Sequence, residues 1–213
     1  WVLEEYIDLG DITKRADIPQ GTDIAMGGRG ADLIYGDTGE NALLGGGESD
    51  VIRVYNNTSK VDGGDDNDGD GDTLVLALKS PDDTFWSSIL SNSDGIERYV
   101  GSTFADVMYD DEDGGARVFV GGHGKDDIDA MGGDDVVIGG KHGDVLNGGS
   151  GNDALSGDHG DDKIWGDLGD DNDWNVTAAD AGDDVASGGG GNDIIRGHLG
   201  EDHLTGGEGN DTL

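Results

Sequence analysis

Aspartate recurs at nine-residue intervals in the C-terminal half of the chain, as Asp126, Asp135, Asp144, Asp153, Asp162 and Asp171, and then as Asp184, Asp193, Asp202 and Asp211. Asp32, Asp50 and Asp72 stand in a similar local setting nearer the N-terminus. Each carboxylate closes a short glycine-rich stretch, so the groups on offer are carboxylate oxygens and peptide carbonyls, and the chain has no cysteine to add a thiolate. An all-oxygen, negatively charged donor set suits a hard cation. Ca2+ takes roughly six to eight oxygens in irregular geometry, whereas Mg2+ demands a strict octahedron and keeps its waters. Zinc asks for histidine or cysteine. The chemistry implied is multiple Ca2+ sites.

The elements that must position these groups follow from the same period. From Gly121 the chain reads GGHGKDDID, AMGGDDVVI, GGKHGDVLN, GGSGNDALS, GDHGDDKIW and GDLGDDNDW, and after four residues ADAGDDVAS, GGGGNDIIR, GHLGEDHLT and GGEGNDTL. Numbering the slots of each unit one to nine, aspartate holds slot six and an apolar residue holds slot eight, as in Ile128, Val137, Leu146, Leu155, Ile164, Ile195 and Leu204. Glycine in three of the first four slots opposes a helix and suits a tight turn. The last three slots, with one apolar side chain between two pointing the other way, predict a short strand. Two units close one coil of a flattened right-handed solenoid, with coils stacked at about 4.8 Å. The fold class is therefore all-β, a parallel β-roll with a nonrepeat insert.

Stacking sets slot six of one unit beside slot six of the next unit but one: Asp126 over Asp144 over Asp162, and on the other side Asp135 over Asp153 over Asp171. Like charges so close oppose folding, and a cation between them reverses the sign. Asp173 falls in the inward slot eight, so residues 172–177 are expected to leave the roll as a loop, with Asp162 then pairing with Asp184 and Asp171 with Asp193. Asn41 keeps an oxygen at slot six but loses the charge, and Glu48, His142 and Phe104 replace glycine at slot four, which weakens those turns as sites.

The formal net charge is -36, from 12 basic and 48 acidic side chains. Such a field repels phosphate, which excludes nucleic acid and anionic lipid as electrostatic partners. No apolar run is long enough for a membrane helix, so membrane insertion is not expected. Leu, Ile, Val and Phe make up about 21% of the residues, near the level at which a charged chain stays disordered. Apolar packing is therefore a weak source of cohesion, and cations are the partners the chain calls for.

Units such as Gly27–Tyr35, Gly148–Ser156 and Gly188–Arg196 carry every fixed position of G-G-x-G-x-D-x-U-x. In this the sequence resembles the RTX (repeats-in-toxin) proteins with hemolysin-type calcium-binding repeats, over about 93 C-terminal and about 27 N-terminal residues. The resemblance implies a parallel β-roll in which the slot-six aspartates and turn carbonyls of adjacent coils hold Ca2+. In this chain those carbonyls are Gly121, Gly122, Gly124, Gly139, Gly148, Gly149, Gly151, Gly157, Gly160, Gly188, Gly189 and Gly191. It also implies bacterial type I secretion, with the chain unfolded in a calcium-poor cytosol and folding outside.

Other motifs yield less. Asp66-Asn67-Asp68-Gly69-Asp70-Gly71 opens like an EF-hand loop, but its twelfth position is Ala77 in place of the bidentate Glu. It reads as an auxiliary calcium loop or as an acidic turn before a strand at 73–78. Asp171-Asn172-Asp173-Trp174-Asn175 is a weaker version of the same spacing, read as a solvated loop. His198 and His203 lack the helical spacing of a zinc protease, and no nucleophile elbow occurs, so no catalysis is expected within this chain. Trp86, Trp165 and Trp174 read as local packing, with a surface contact as the alternative.

Four regions are expected: a capping segment at 1–26, a first short roll at 27–75, a nonrepeat insert at 76–100 that forms a hairpin or short helix, and the main roll at 101–213. The leading functional reading is a secreted or cell-surface bacterial scaffold that folds on binding calcium. Two alternatives stand beside it. One is a subunit of a calcium-stabilised filament or S-layer, with self-association or cell-surface contacts; the other is an accessory module of a secreted enzyme or toxin.

Overall fold

The computed structural model describes residues 6–8, 15–17, 24–36, 41–55, 60–65, 71–77, 93–110, 115–167 and 182–213. They form two compact units, 1–100 and 101–213. Unit 1 contains β1 (Tyr6–Asp8), β2 (Arg15–Asp17), β3 (Ile24–Arg29), β4 (Leu33–Tyr35), β5 (Ala42–Gly47), β6 (Val51–Val54), β7 (Lys60–Asp65), β8 (Thr73–Leu76), β9 (Ser93–Asp94) and β10 (Arg98–Val100). Unit 2 contains β11 (Val107–Tyr109), β12 (Val118–His123), β13 (Asp127–Asp129), β14 (Val136–Lys141), β15 (Val145–Gly149), β16 (Ala154–His159), β17 (Lys163–Asp167), β18 (Val185–Gly190), β19 (Ile194–Arg196) and β20 (His203–Glu208). Among the described residues there is no helix.

Successive strands alternate between two sheets, so a strand pairs with the next but one. In unit 1 the orders are β1-β3-β5-β7-β9 and β2-β4-β6-β8-β10; in unit 2 they are β12-β14-β16-β18-β20 and β11-β13-β15-β17-β19. Every pairing within a unit is parallel. This is the β-roll expected from the period. In the strands of unit 2 one apolar side chain points inward while its neighbours face out, as in β14, where Val137 is 0% exposed and Val136 38%. Ile128, Leu146, Ile164 and Ile195 stack in one sheet of unit 2, and Phe119, Val137, Leu155 and Ala186 in the other. In the last coil Leu204 is half-buried and Leu213 is 60% exposed, because no described strand covers them.

Two stretches outside the obvious repeats join the sheets. β1 and β2 pair with β3 and β4. Residues 93–100, read from the sequence as part of a hairpin or helix, instead form β9 and β10, parallel to β7 and β8. Tyr99 there takes the inward position and is 1% exposed. Residues 78–92 lie outside the described residues, as do Asp66 to Asp70, Trp86, Asp171, Asp173 and Trp174.

The register past residue 167 corrects the sequence reading. Ala154 pairs with Val185 and Ile164 with Ile195, so Asp162 neighbours Asp193 and Asp153 neighbours Asp184. The expected pair Asp162 with Asp184 does not form, Asp193 takes the place beside Asp162, and Asp171 lies outside the described residues. The turn that begins at Gly166-Asp167 is completed by Gly182-Asp183-Asp184, and a carboxylate at the inward slot eight, Asp173, explains why the unit beginning at Gly166 does not supply the next strand: burying it unpaired is costly.

Candidate metal centre

Each slot-six carboxylate uses its two oxygens differently. Oδ1 accepts the backbone N–H of the slot-six residue one coil earlier: Asp126 to Asp144 at 2.9 Å, Asp144 to Asp162 at 2.8 Å, Asp162 to Asp193 at 2.9 Å and Asp193 to Asp211 at 3.0 Å. The other side of unit 2 repeats this from Asp135 to Asp153 at 2.8 Å, Asp153 to Asp184 at 2.9 Å and Asp184 to Asp202 at 3.1 Å. In unit 1 Asp32 donates to Asp50 at 2.7 Å and Asp50 to Asp72 at 2.6 Å. The carboxylates thus zip the coils together.

Oδ2 is left over. It is buried without a hydrogen-bond partner in Asp126, Asp144, Asp153, Asp162, Asp184 and Asp193. A buried oxygen left so is expensive unless something positive satisfies it. The Oδ2 atoms face the slot-one glycines. A Cβ placed on Gly121, Gly148, Gly157 or Gly188 meets the Oδ2 of its own unit's aspartate and, at 2.6–2.7 Å, the carbonyl of the slot-one glycine in the next coil. Gly139 faces Asp144 in the same way, and Gly197 and Gly206 face Asp202 and Asp211. Carboxylate and carbonyl therefore border a small space that exists because slot one has no side chain.

The glycines of slots two and four serve the stacking. Gly122, Gly149 and Gly189 at slot two have φ of 100°, 107° and 99°. A Cβ on Gly124, Gly151, Gly160 or Gly191 collides with the slot-four carbonyl of the preceding coil. These carbonyls line up along each column of turns. Among the described residues no three acidic or imidazole side chains converge on one point, so a cation here depends on carbonyls as much as on carboxylates.

Burial dominates the electrostatics. The carboxyl groups of Asp144 and Asp153 are pushed up to about 7, first by burial, with neighbouring aspartates adding to it. Those of Asp126, Asp162 and Asp184 rise to about 6 for the same reasons. Asp106 also rises to about 6 by burial, but its Oδ2 accepts the Ser102 N–H at 2.6 Å and is not left over.

Not every turn is built this way. In unit 1 slot one falls on Gly36 after β4, on Val54 at the end of β6 and on Leu76 at the end of β8, and Val54 and Leu76 are 0% and 1% exposed. Carbon fills the slot-one space at Val54 and Leu76, and Asn41 stands at slot six, so among the described residues unit 1 carries the slot-six carboxylates on one side only.

The sequence reading missed three groups. Glu97 extends the unit 1 column, its Oε2 accepting the Asp72 N–H at 2.7 Å. Asp167, 0% exposed, accepts the N–H groups of Gly182 at 2.9 Å and Leu199 at 2.6 Å, holding the two ends of the interrupted turn. Arg117 takes a slot-six position without an acid. The signal for Glu97 and Arg117 was present: each stands two residues before a large apolar side chain, Tyr99 and Phe119. His198 and His203 are exposed and in a turn and a strand, and Trp165 is half-buried on the outward side of β17.

The RTX calcium-binding nonapeptide repeat model matches the chain in four copies, over residues 20–52, 118–141, 138–172 and 179–213. The chain belongs to the RTX calcium-binding repeat family. Three of the four RTX matches fall in unit 2, where both sides of the roll carry slot-six aspartates. Comparison with curated proteins finds no match.

Proposed function

We propose that this RTX chain is a non-enzymatic scaffold of a secreted or cell-surface protein, and that calcium switches its folding on. The observation that carries this reading is the repeated Oδ2 of slot six, buried and without a partner beside a slot-one carbonyl. The residues fit the ion: in unit 2 Asp126, Asp144, Asp153, Asp162, Asp184 and Asp193 supply the carboxylates, and the slot-one glycines supply carbonyls and room. Bound there, Ca2+ would supply the positive charge that the columns lack. Sites of this open, carbonyl-dependent kind suit extracellular calcium, about 10⁻⁴–10⁻³ M, and stay empty at cytosolic levels. The scaffold then forms only after the chain has left the cell.

Circular dichroism with calcium and magnesium titrations tests the reading. The chelated chain at pH 8 is expected to be coil-rich and to gain β signal cooperatively with Ca2+, with Mg2+ far less effective. A chain fully structured in chelator, or one answering both ions alike, overturns it.

A further inference from the structure

In unit 2 the turns that follow β13, β15, β17 and β19 present Asp135, Asp153, Asp184 and Asp202 at slot six. The turn that follows β11 presents Arg117. Its register is fixed, because Val118, Phe119 and Val120 pair with Val136, Val137 and Ile138. The Arg117 N–H donates to Asp135 Oδ1 at 2.7 Å, the bond that Asp135 in turn makes to Asp153 at 2.8 Å. The main chain obeys the rule of the column while the side chain reverses its charge.

Slot one of this turn is altered to match. It holds Asp110, which directly follows β11 and whose N–H donates to the Asp129 carbonyl at 3.0 Å. Arg117 Nη1 donates to Asp110 Oδ2 at 2.6 Å, with the two side chains 10% and 1% exposed, and contacts the Gly115 carbonyl at 3.4 Å. A positive group thus sits among oxygens of its own turn. The next turn supplies an independent observation. Its slot one is Ala130, 0% exposed, where regular turns have glycine. The Ala130 methyl fills the position that is open beside Asp153 and Asp162. Guanidinium on one side and methyl on the other leave no metal cradle between the two turns.

We propose that Arg117, clamped by Asp110, is a built-in cation that closes this first interval without metal and provides a calcium-independent template for the coils that follow. The proposal rests on the calcium reading of the regular turns. A tethered guanidinium is present at every calcium concentration, and a buried charge-assisted pair is strongly disfavoured from losing one partner. In a solenoid whose coils interact only with their neighbours, one pre-ordered interval lowers the cost of starting the stack.

Hydrogen exchange on the full chain in EGTA, together with the number of calcium ions bound at saturation, tests it. The amides of β12 and β14 are expected to exchange at least about tenfold more slowly than those of β18 and β20, the least that a charged hydrogen bond provides. Arg117→Gln should erase that difference in EGTA, and Arg117→Lys should keep part of it. The triple variant Asp110→Gly, Arg117→Asp, Ala130→Gly puts glycine at both slot-one positions and an acid at slot six, in a turn two residues longer than the regular one, and should bind one more calcium ion per chain than the parent. Uniform exchange across the strands of the parent, or an unchanged calcium count in the triple variant, overturns the proposal. A parent that binds no calcium defeats the calcium reading instead, and the exchange comparison in EGTA still decides the role of Arg117.

Discussion

The Asp153 N–H donates to Asp184 Oδ1 at 2.9 Å across 31 residues of sequence, where its neighbour in the same column, Asp135, reaches Asp153 across 18. The roll therefore closes over thirteen additional residues as though they were absent. Deleting residues 169–181 leaves Gly166-Asp167-Leu168-Gly182-Asp183-Asp184-Val185-Ala186-Ser187, a regular unit. The deletion is expected to keep the calcium midpoint within about twofold and to stabilise the folded chain by about 1 kcal/mol, from the smaller loop-closure cost. Calcium titration by circular dichroism and thermal melts in saturating calcium check this; loss of the cooperative transition contradicts the register.

The division of labour within each carboxylate makes Asp144→Asn informative. The amide Oδ1 still accepts the Asp126 N–H, but the second oxygen is replaced by an NH2 group that cannot ligate a cation. With calcium the variant is expected to need at least about tenfold more metal at the midpoint, in line with the loss of a ligand. Without calcium it should be the more structured of the two proteins, since a buried negative charge has gone. Paired titrations in chelator and in calcium read both signs, and a variant weaker than the parent in both conditions contradicts the assignment.

The regular repeats were legible because two requirements recur every nine residues, an acid that zips coils at slot six and an apolar side chain that fills the interior at slot eight. Ile128 and Leu146 are buried where the period places them. What the period hides is how a unit can leave the roll. Reading units end to end put Asp171 in the column, whereas Asp184 sits there, because an inward Asp173 costs more than a longer turn. Glu97 and Arg117 were missed for a different reason. They meet the geometric demand of their slots with other chemistry, and the consensus letters do not register that exchange.

Protons and calcium should act on the same oxygens. Asp144 and Asp153 have carboxyl groups near 7 in the folded chain, against an ordinary value of 3.8. Because the folded value is the higher one, the stability linked to protonation is complete below about 3.8 and is lost as pH rises through 6 to 7. The metal-free chain is therefore expected to gain β structure as pH falls from 8 toward 4. In the calcium-loaded chain the same acidification should raise the calcium midpoint, since a ligand must shed its proton to bind. Circular dichroism against pH, on desalted protein and at fixed calcium, measures both trends. A metal-free chain that loses structure over this range would show that the buried carboxyls do not control folding.

Gly148 and Gly149 are adjacent and ought to fail differently. Gly149 has φ of 107°, which an alanine adopts only with strain, and its Cβ would strike the Met131 carbonyl. Gly148 lies outside the positive-φ set; its Cβ would fall 2.6 Å from the Gly166 carbonyl and against Asp153 Oδ2, in the space offered to the cation. Ala130 shows that the roll accepts a methyl at slot one. Gly148→Ala is therefore expected to cost about one bound calcium ion, and Gly149→Ala to keep the calcium count at saturation while destabilising the calcium-loaded fold by about 1 kcal/mol or more. Calcium counting at saturation together with thermal melts separates the two. Equal calcium counts in Gly148→Ala and the parent would mean that the slot-one space is not where the ion sits.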